Sequence, residues 1–282
     1  MKWMSFEIDG KASYGVVTED AVIDIGRQMS PQYPTLRMAI AAGATETVSD
    51  KLRNSAPTHA LTKVKFLSPI TDPEKIICIG RNYAAHAAEA NVATPEFPSL
   101  FVRVTSSLAP HNSPMICPKL SGDFDYECEL AVVIGKAGRH IERNKAFDHV
   151  FGYTCFNDGS IRDVQFKHST AAGKNFVATG GIGPWIVTQD EIPDPARLSI
   201  MTRINGREVQ HASISEMIFD VPAIVSYVSG FTRLEAGDIL STGTPDGVGF
   251  PRNPPLWLKP SDIVEIEVSG IGVLSNPISA EA

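Results

Sequence analysis

The sequence predicts an α+β protein that is mostly β, with a small N-terminal α+β domain at residues 1–70 and a larger β-rich domain at residues 71–282. Three observations carry this prediction. Short β-like runs recur along the chain, glycine- and proline-rich turns separate them, and one early stretch is rich in alanine, leucine and methionine at helical spacing. A segment with several prolines, residues 55–73, precedes a change in pattern, which places the boundary there.

The composition is that of an acidic globular protein. Of 282 residues, 43% are hydrophobic and 20% are charged, so the chain can bury a core and is not disordered. The 25 Lys and Arg against 32 Asp and Glu give a net charge of −7, which argues against nucleic acid or an anionic membrane as a partner. An anionic substrate would therefore need positive charge supplied locally, by a metal or by a few placed Lys and Arg side chains.

Cysteine use and the N-terminal sequence indicate a cytoplasmic protein. The four cysteines form no CxxC pair, and three lie in apolar or alternating runs, as is typical of reduced core thiols. The first residues lack the apolar core of a signal peptide, and no stretch approaches the ~20 apolar residues of a membrane span. We expect a soluble, cytoplasmic protein.

The N-terminal domain is predicted to hold three strands and a helix. Residues 2–8 and 12–18 are β-like runs joined by Asp9-Gly10, a dipeptide that favours a tight hairpin turn. Residues 21–25 alternate in polarity and are predicted to form the third strand. Residues 35–53 have the spacing of a helix.

The larger domain is predicted to consist of many short strands and two helices. The helices are predicted at residues 83–90 and 221–231. Short strands with turn signals between them are typical of a β-sandwich or barrel-like fold. The predicted strands are 76–79, 100–104, 126–134, 152–157, 185–187, 198–204, 239–242 and 263–268.

The clearest chemical signal is an acidic alternation at the start of one predicted strand. Because side chains alternate across a strand, Asp125, Glu127 and Glu129 are predicted to share one face, with Cys128 on the other. Such a pattern commonly forms a solvated strand face. Here the strand continues into an apolar stretch, 131–134, which indicates a central position where inward carboxylates are costly without a divalent cation. Oxygen ligands favour Mg²⁺, Mn²⁺ or Ca²⁺ over zinc.

Two other places carry candidate site residues. Asn157-Asp158 ends an apolar strand, where rigid scaffolds present functional side chains, although an Asx turn or a helix cap would use the same residues. His86 and Glu89 lie three residues apart on a predicted helix and so share a face. A carboxylate beside an imidazole makes a workable general base, and a surface pair is the ordinary alternative.

A glycine-rich segment at residues 241–249 follows an apolar strand. It is either a plain turn or an anion cradle built from backbone groups. The sequence has no GxSxG, no HExxH and no GxGxxG in a Rossmann context, which argues against a serine hydrolase, a zincin and a dinucleotide enzyme.

Taken together, these residues resemble the fumarylacetoacetate hydrolase family. The resemblance runs over residues 74–278, through KIICIGRNYAAHAAEA, DYECELAVVIGK, GYTCFNDGSIRDVQ, GKNF and STGTPDGVG, with the motifs in family order. It implies a mixed β-sandwich or roll as the catalytic domain, and the leading residues are similar to the small N-terminal domain of longer members. Two departures are visible, because Arg103 stands where members commonly have Lys, and Gly159 stands where Val or Met is frequent.

The resemblance implies three kinds of site residue. The implied ligands of Mg²⁺ or Mn²⁺ are Glu127, Glu129 and Asp158. The implied catalytic residues are His86 and Glu89, which would activate water on a lid over the site, and Lys174. The implied substrate-binding residues, for the carboxylate and keto end of the substrate, are Arg162, Gln165 and Thr244.

The resemblance also implies an activity, the metal-dependent hydrolysis of a C–C bond in a 2,4-dioxo acid. An acylpyruvate such as maleylpyruvate or fumarylpyruvate would give pyruvate and a carboxylic acid, in the breakdown of aromatic compounds. The same kind of site could decarboxylate oxaloacetate or a related oxo-dicarboxylate, or isomerise an enol to a ketone, and the residues alone do not separate these reactions. A non-catalytic binding protein is a further alternative, against which the intact residue set argues. Family members are usually dimers, so we expect a homodimer.

Overall fold

The computed structural model describes residues 1–52, 55–89 and 92–282. The α-helices are α1 (Gly26–Met29), α2 (Leu36–Ala41), α3 (Ala44–Leu52), α4 (Ala84–Glu89), α5 (Arg162–Lys167), α6 (Thr170–Lys174) and α7 (Val221–Phe231). The first strands are β1 (Lys2–Ile8), β2 (Lys11–Thr18), β3 (Ala21–Asp24), β4 (His59–Ala60), β5 (Lys65–Phe66), β6 (Ile76–Gly80), β7 (Ser99–Val102), β8 (Leu108–Pro110), β9 (Met115–Cys117) and β10 (Phe124–Asp125). The remaining strands are β11 (Cys128–Ile134), β12 (Val150–Asn157), β13 (Ser160–Ile161), β14 (Gly180–Thr188), β15 (Ser199–Ile204), β16 (Arg207–Ser213), β17 (Ile239–Ser241), β18 (Ile263–Val268) and β19 (Gly272–Ala280).

One large mixed sheet runs through the molecule. Within the described residues its main order is β4-β3-β2-β1-β14-β12-β11-β17-β6-β7, with β5 beside β1 and β8 beside β14. The N-terminal strands join this sheet because β1 pairs antiparallel with β14. A second sheet has the order β16-β15-β18-β19-β9, and β10 pairs with β13.

The centre of the large sheet is fully buried. β11 lies between β12 and β17, and every residue of β11 is buried. Its side chains alternate between two cores, with Leu130 and Val132 in one and Ala131 and Val133 in the other. A carboxylate carried by this strand is therefore withdrawn from bulk water, where an unpaired charge is costly.

The predicted fold class, α+β and mostly β, is confirmed. The bounds of β1, β18 and α7 coincide with the predicted segments. The division into domains at residue 70 stays a prediction. No helix among the described residues combines the length and the apolar character needed to cross a bilayer.

The predicted helix at 35–53 is in fact two helices, α2 and α3. Gly43 adopts φ 66°, in the left-handed region, and its N–H donates to the Ile40 carbonyl at 2.9 Å, which ends α2. Residue 53 lies outside the described residues, as does residue 90 at the end of the predicted helix 83–90.

The strand predicted at 126–134 begins only at Cys128. Just before it, the Glu127 N–H donates to the side chain of Asn157 at 3.0 Å instead of to a backbone carbonyl of the neighbouring strand. This local break separates β11 from Asp125, which lies on β10.

Candidate active site

Three buried carboxylates meet at the middle of the large sheet. Glu129 lies on β11, Glu127 directly precedes that strand, and Asp158 directly follows β12. The pairing of Cys128 with Asn157 brings the two strand ends together, and the Asp158 N–H donates to the Glu127 carbonyl at 2.9 Å. One oxygen atom from each of the three carboxylates lies within 4.8 Å of the other two. The structure thus brings together the three predicted metal ligands.

The predicted alternation holds for Cys128 and fails for Asp125. The Cys128 side chain packs in the core with Leu130, away from the carboxylates. Asp125 lies on β10, before the break in the strand, and its carboxylate accepts from the N–H groups of Gly249 at 2.6 Å and Phe250 at 3.1 Å. Asp125 therefore anchors the loop that follows β17 instead of facing the other acids.

Three buried cations surround the carboxylates. The Lys174 Nζ lies 2.7 Å from Glu127 Oε2 and 2.6 Å from Asp158 Oδ2. The Arg103 Nη1 lies 2.6 Å from Asp158 Oδ1, and the Arg162 Nη2 lies 2.6 Å from Glu127 Oε1. These contacts leave both Glu127 and Asp158 with two cationic partners each.

Glu129 differs from its neighbours because no Lys, Arg or His of the described ranges forms an ion pair with it. Its carboxylate accepts from the Ser241 hydroxyl and from the Gly243 N–H at 3.0 Å. Burial raises the pKa of Glu129 well above its ordinary value, and the nearby Asp158 and Glu127 charges act in the same direction. Glu129 is therefore the carboxylate that gains most from a further cation.

The pKa of Glu127 is shifted in the opposite direction from that of Glu129. Burial alone would raise the pKa of this carboxyl group, but the charges of Lys174 and Arg162 outweigh burial and lower the pKa to about 2. Glu127 is therefore ionised at neutral pH.

The donor set fits a divalent cation. All three groups are carboxylates, the hard oxygen ligands that Mg²⁺ and Mn²⁺ prefer. Four buried acids accompany three buried cations, so the site has one negative charge in excess when all four acids are ionised. The acids are Asp125, Glu127, Glu129 and Asp158, and the cations are Arg103, Arg162 and Lys174. A divalent cation would reverse this excess and make the site attractive to an anion.

The His86–Glu89 pair lies beside the same cluster. His86, on α4, is only 7% exposed, and it is among the groups close enough to Glu127 to help lower the pKa of that carboxyl group. Its Nδ1 lies 3.6 Å from Glu89 Oε2, and both Glu89 oxygens accept from the Gly247 N–H at 3.1 Å. Glu89 thus faces Nδ1 and leaves Nε2 as the nitrogen that can exchange a proton with a bound molecule.

Arg162 and Gln165 lie together at one wall of the site. The Arg162 Nη1 donates to Gln165 Oε1 at 3.0 Å, and its Nε donates to Asp125 Oδ2 at 2.8 Å. The guanidinium carbon lies 4.7 Å from the centroid of the Phe250 ring. The role of Arg162 and Gln165 in substrate binding stays a prediction.

Thr244 lies on the core side of β11. Its hydroxyl accepts from Gln210 Nε2 at 3.0 Å, and Gln210 Oε1 in turn accepts from the Cys128 N–H at 3.1 Å. Gln210 thereby joins the ligand strand to the glycine-rich segment after β17. A direct contact of Thr244 with substrate stays a prediction.

Sequence reasoning did not assign a role to Arg103. Besides Asp158, its guanidinium donates to Ser107 Oγ at 3.1 Å, the Gly159 carbonyl at 3.0 Å and Thr179 Oγ1 at 3.3 Å. Because every guanidinium nitrogen has a protein partner, Arg103 orients Asp158 and is not free to bind a substrate. Its only signal in the sequence was the replacement of the usual Lys.

Replacing Gly159 by alanine is expected to lower the free energy of unfolding by about 1–3 kcal/mol, the usual cost of overpacking. A Cβ atom at this position would lie 1.9 Å from the Thr179 carbonyl oxygen, a backbone atom, so Asp158 beside it would shift. Chemical denaturation measures the effect. Gly122→Ala is the control, since a Cβ there meets nothing within 4 Å, and equal stability of the two variants would contradict the close approach.

Comparisons with known proteins agree on one family. The family model described as fumarylacetoacetate (FAA) hydrolase C-terminal matches residues 75–279. The chain is 40% identical over 244 residues to a mitochondrial oxaloacetate tautomerase of Xenopus laevis, an alignment that covers 86% of this chain and 76% of that protein.

Solved structures have the same fold over the whole chain. A fumarylacetoacetate hydrolase from psychrophilic Exiguobacterium antarcticum is 35% identical with a TM-score of 0.83, and the match covers 100% of both chains. Maleylpyruvate hydrolase from Sphingobium sp. SYK-6, in complex with manganese(II) and pyruvate, is 28% identical with a TM-score of 0.84, again over 100% of both chains. The motifs, the buried carboxylates and these matches lead to the same assignment, and the chain belongs to the fumarylacetoacetate hydrolase family.

Proposed function

We propose that the chain is a divalent-metal-dependent enzyme that acts on 2-oxo acids through their enolate, and that it interconverts the keto and enol forms of oxaloacetate. The observation that carries the proposal is the buried cluster of Glu127, Glu129 and Asp158 with Lys174 and His86 beside it. The choice of oxaloacetate is supported by the 40% identity to an oxaloacetate tautomerase.

Glu127, Glu129 and Asp158 would hold the metal. When bound, Mg²⁺ or Mn²⁺ supplies Lewis acidity, which polarises a 2-oxo carbonyl and is worth several kcal/mol. The chain's own residues supply the rest of the chemistry.

His86 is the group that moves the proton. Its Nε2 would take a proton from C3 of the oxo acid, and Glu89 opposite Nδ1 would stabilise the imidazolium that results. The Lys174 ammonium would offset the negative charge that develops on the substrate as the enolate forms. The His86 imidazolium would then return its proton to O2, which gives the enol, or to C3, which restores the ketone.

Hydrolysis of an acylpyruvate is the second candidate, supported by the shared fold with a maleylpyruvate hydrolase. In this reaction His86 would deprotonate a water molecule that attacks the C4 carbonyl. Cleavage of the C3–C4 bond would then release a carboxylic acid and the enolate of pyruvate. Both candidates use the same base and pass through an enolate of a 2-oxo acid, so a panel of substrates is needed to decide between them.

A substrate panel tests the proposal directly. The purified protein is mixed with oxaloacetate, maleylpyruvate, fumarylpyruvate and simple acylpyruvates, and loss of the enol absorbance is followed. We expect conversion of oxaloacetate enol faster than the uncatalysed rate, with no release of pyruvate. Pyruvate plus a carboxylic acid from an acylpyruvate would favour hydrolysis, pyruvate plus CO₂ from oxaloacetate would favour decarboxylation, and no turnover of any substrate would favour a binding protein.

Metal removal is expected to abolish the activity. Because the carboxylate cluster fits a divalent cation, dialysis against a chelator should lower kcat/KM by on the order of 10³-fold, as expected for the loss of several kcal/mol of Lewis acidity. Adding Mn²⁺ or Mg²⁺ back should restore it. Full activity in the metal-free protein, with metal content checked by elemental analysis, would show that the reaction does not depend on a metal.

A further inference from the structure

The Gly247 N–H holds the Glu89 carboxylate in place. Both Glu89 oxygens accept from this N–H at 3.1 Å, whereas His86 Nδ1 lies 3.6 Å away, beyond ordinary hydrogen-bond distance. In the part of the chain that the structure describes, Glu89 has no other hydrogen-bond donor. The position of Gly247 therefore sets where Glu89 lies relative to His86.

Hydrogen bonds hold the peptide groups on both sides of Gly247. Its φ of 91° is a conformation that glycine adopts readily. On one side, Gln210 Nε2 donates at 3.4 Å to the carbonyl of Asp246, in the same peptide group as the Gly247 N–H. On the other side, Arg252 Nη2 and the Tyr126 hydroxyl donate to the Gly247 carbonyl at 2.7 Å and 3.1 Å.

Arg252 holds the part of this loop that directly follows Asp246. Its Nη2 also donates to the Val209 carbonyl on β16 at 2.7 Å, and its Nε donates to the Val248 carbonyl at 3.1 Å. Arg252 thus ties the loop to β16 on one side and orients two successive carbonyls on the other. Within the described ranges it forms no ion pair with an acid, so its donors are used to hold backbone.

We propose that Arg252 is a positioning residue for the His86–Glu89 pair and acts through the Gly247 N–H. Loss of its guanidinium removes the shorter of the two hydrogen bonds to the Gly247 carbonyl and leaves the Tyr126 hydroxyl as its donor. The glycine can then rotate and withdraw its N–H from Glu89. The effect of Arg252 on the reaction rests on the proposed function of the His86–Glu89 pair. The effect of Arg252 on the placement of Glu89 is independent of that function.

A double-mutant cycle tests the route through Glu89. Arg252→Met is expected to lower kcat/KM for the best panel substrate by about tenfold, as for loss of one well-placed hydrogen bond to a charged group. In the Glu89→Ala background the same change is expected to cost less than about twofold, because its only route to the reaction is gone. An equal loss in both backgrounds would overturn the proposal and make Arg252 a merely structural residue.

The control variant is Arg203→Met, which removes a half-buried arginine that pairs with Glu265 and Glu267 on β18. It is expected to leave kcat/KM unchanged in both backgrounds. If Arg252→Met does not fold, Arg252→Lys goes through the same cycle, where a partial loss of about threefold is expected because one ammonium replaces several fixed donors.

Amide hydrogen exchange of residues 84–89 gives a readout that needs no turnover. We expect faster exchange in Arg252→Met and in Glu89→Ala, and no further increase in the double variant, since both changes release the same end of α4. Unchanged exchange in Arg252→Met would overturn the proposal even if the enzyme is active. No turnover by the wild-type protein, together with the expected exchange pattern, would reject the proposed function and leave the positioning role in place.

Discussion

Replacing Glu129 by glutamine is expected to reduce kcat/KM on the active 2-oxo acid by on the order of 10³-fold, the equivalent of several kcal/mol of lost metal assistance. Of the three predicted ligands, Glu129 is the one with no ion-pair partner among the described cations, so its charge is the most available to a metal. The amide is nearly isosteric, and its oxygen can still accept from the Gly243 N–H. The effect should therefore come from the lost charge and not from misfolding.

Mn²⁺ affinity must fall together with activity if Glu129 is a ligand. Titration calorimetry with Mn²⁺ measures the affinity, and thermal unfolding of the metal-free protein checks the fold. Glu235→Gln, which removes a surface partner of Arg233, is the matched control and should change neither quantity. Wild-type Mn²⁺ affinity in Glu129→Gln would exclude Glu129 as a ligand, whatever happens to the rate.

Glu127→Ala would be a less clean version of this experiment. Glu127 forms ion pairs with Lys174 at 2.7 Å and with Arg162 at 2.6 Å, so its removal would leave two buried cations short of a partner. An uncompensated buried charge destabilises a protein strongly. Loss of activity in that variant would mix a ligand effect with a folding effect.

The local part of the fold was predictable from the sequence. Alternation on β11 gave the correct side for Cys128, and the end of β12 at Asn157 placed Asp158 correctly beside the strand. Both follow from the period of two along a strand. The helix predicted at 221–231 was also correct, because its apolar spacing is strong.

The features that were missed depend on contacts between distant parts of the chain. Asp125 was predicted to share a face with the metal ligands, but the break before Cys128 turns it toward Gly249 and Phe250, more than a hundred residues later in the sequence. Arg252 has three backbone carbonyls as partners, and any residue type supplies a carbonyl. No sequence pattern can therefore indicate such a contact.

The charge balance of the site explains how an acidic protein can accept an anionic substrate. The whole chain carries a net charge of −7, and the buried cluster by itself is one charge negative when its four acids are ionised. The cations in it are already engaged, since Arg103 pairs with one acid and Arg162 and Lys174 each pair with two. Attraction for a 2-oxo acid therefore depends on the divalent cation, and metal and substrate affinity should fall together in the ligand variants.

Replacing His86 by alanine is expected to separate catalysis from metal binding. His86 lies beside the carboxylate cluster but is not one of the three predicted metal ligands, and its proposed role is to move a proton. General-base assistance is worth about 10²–10⁴-fold, so kcat/KM for keto–enol interconversion should fall by that amount. Mn²⁺ affinity, measured by titration calorimetry, should stay at the wild-type value.

The pattern of loss across substrates in His86→Ala identifies the reaction. Enolisation and C–C hydrolysis both need a base, so both should fail in this variant, whereas decarboxylation of oxaloacetate needs neither an attacking water nor removal of a C3 proton. Decarboxylation that survives in His86→Ala would therefore replace the proposed reaction. His168→Ala, which removes an exposed histidine, should behave as wild type. A group that only transfers a proton does not contribute to the affinity of the carboxylates for a cation. Equal losses of Mn²⁺ affinity and activity in His86→Ala would therefore show that the histidine has a structural role instead.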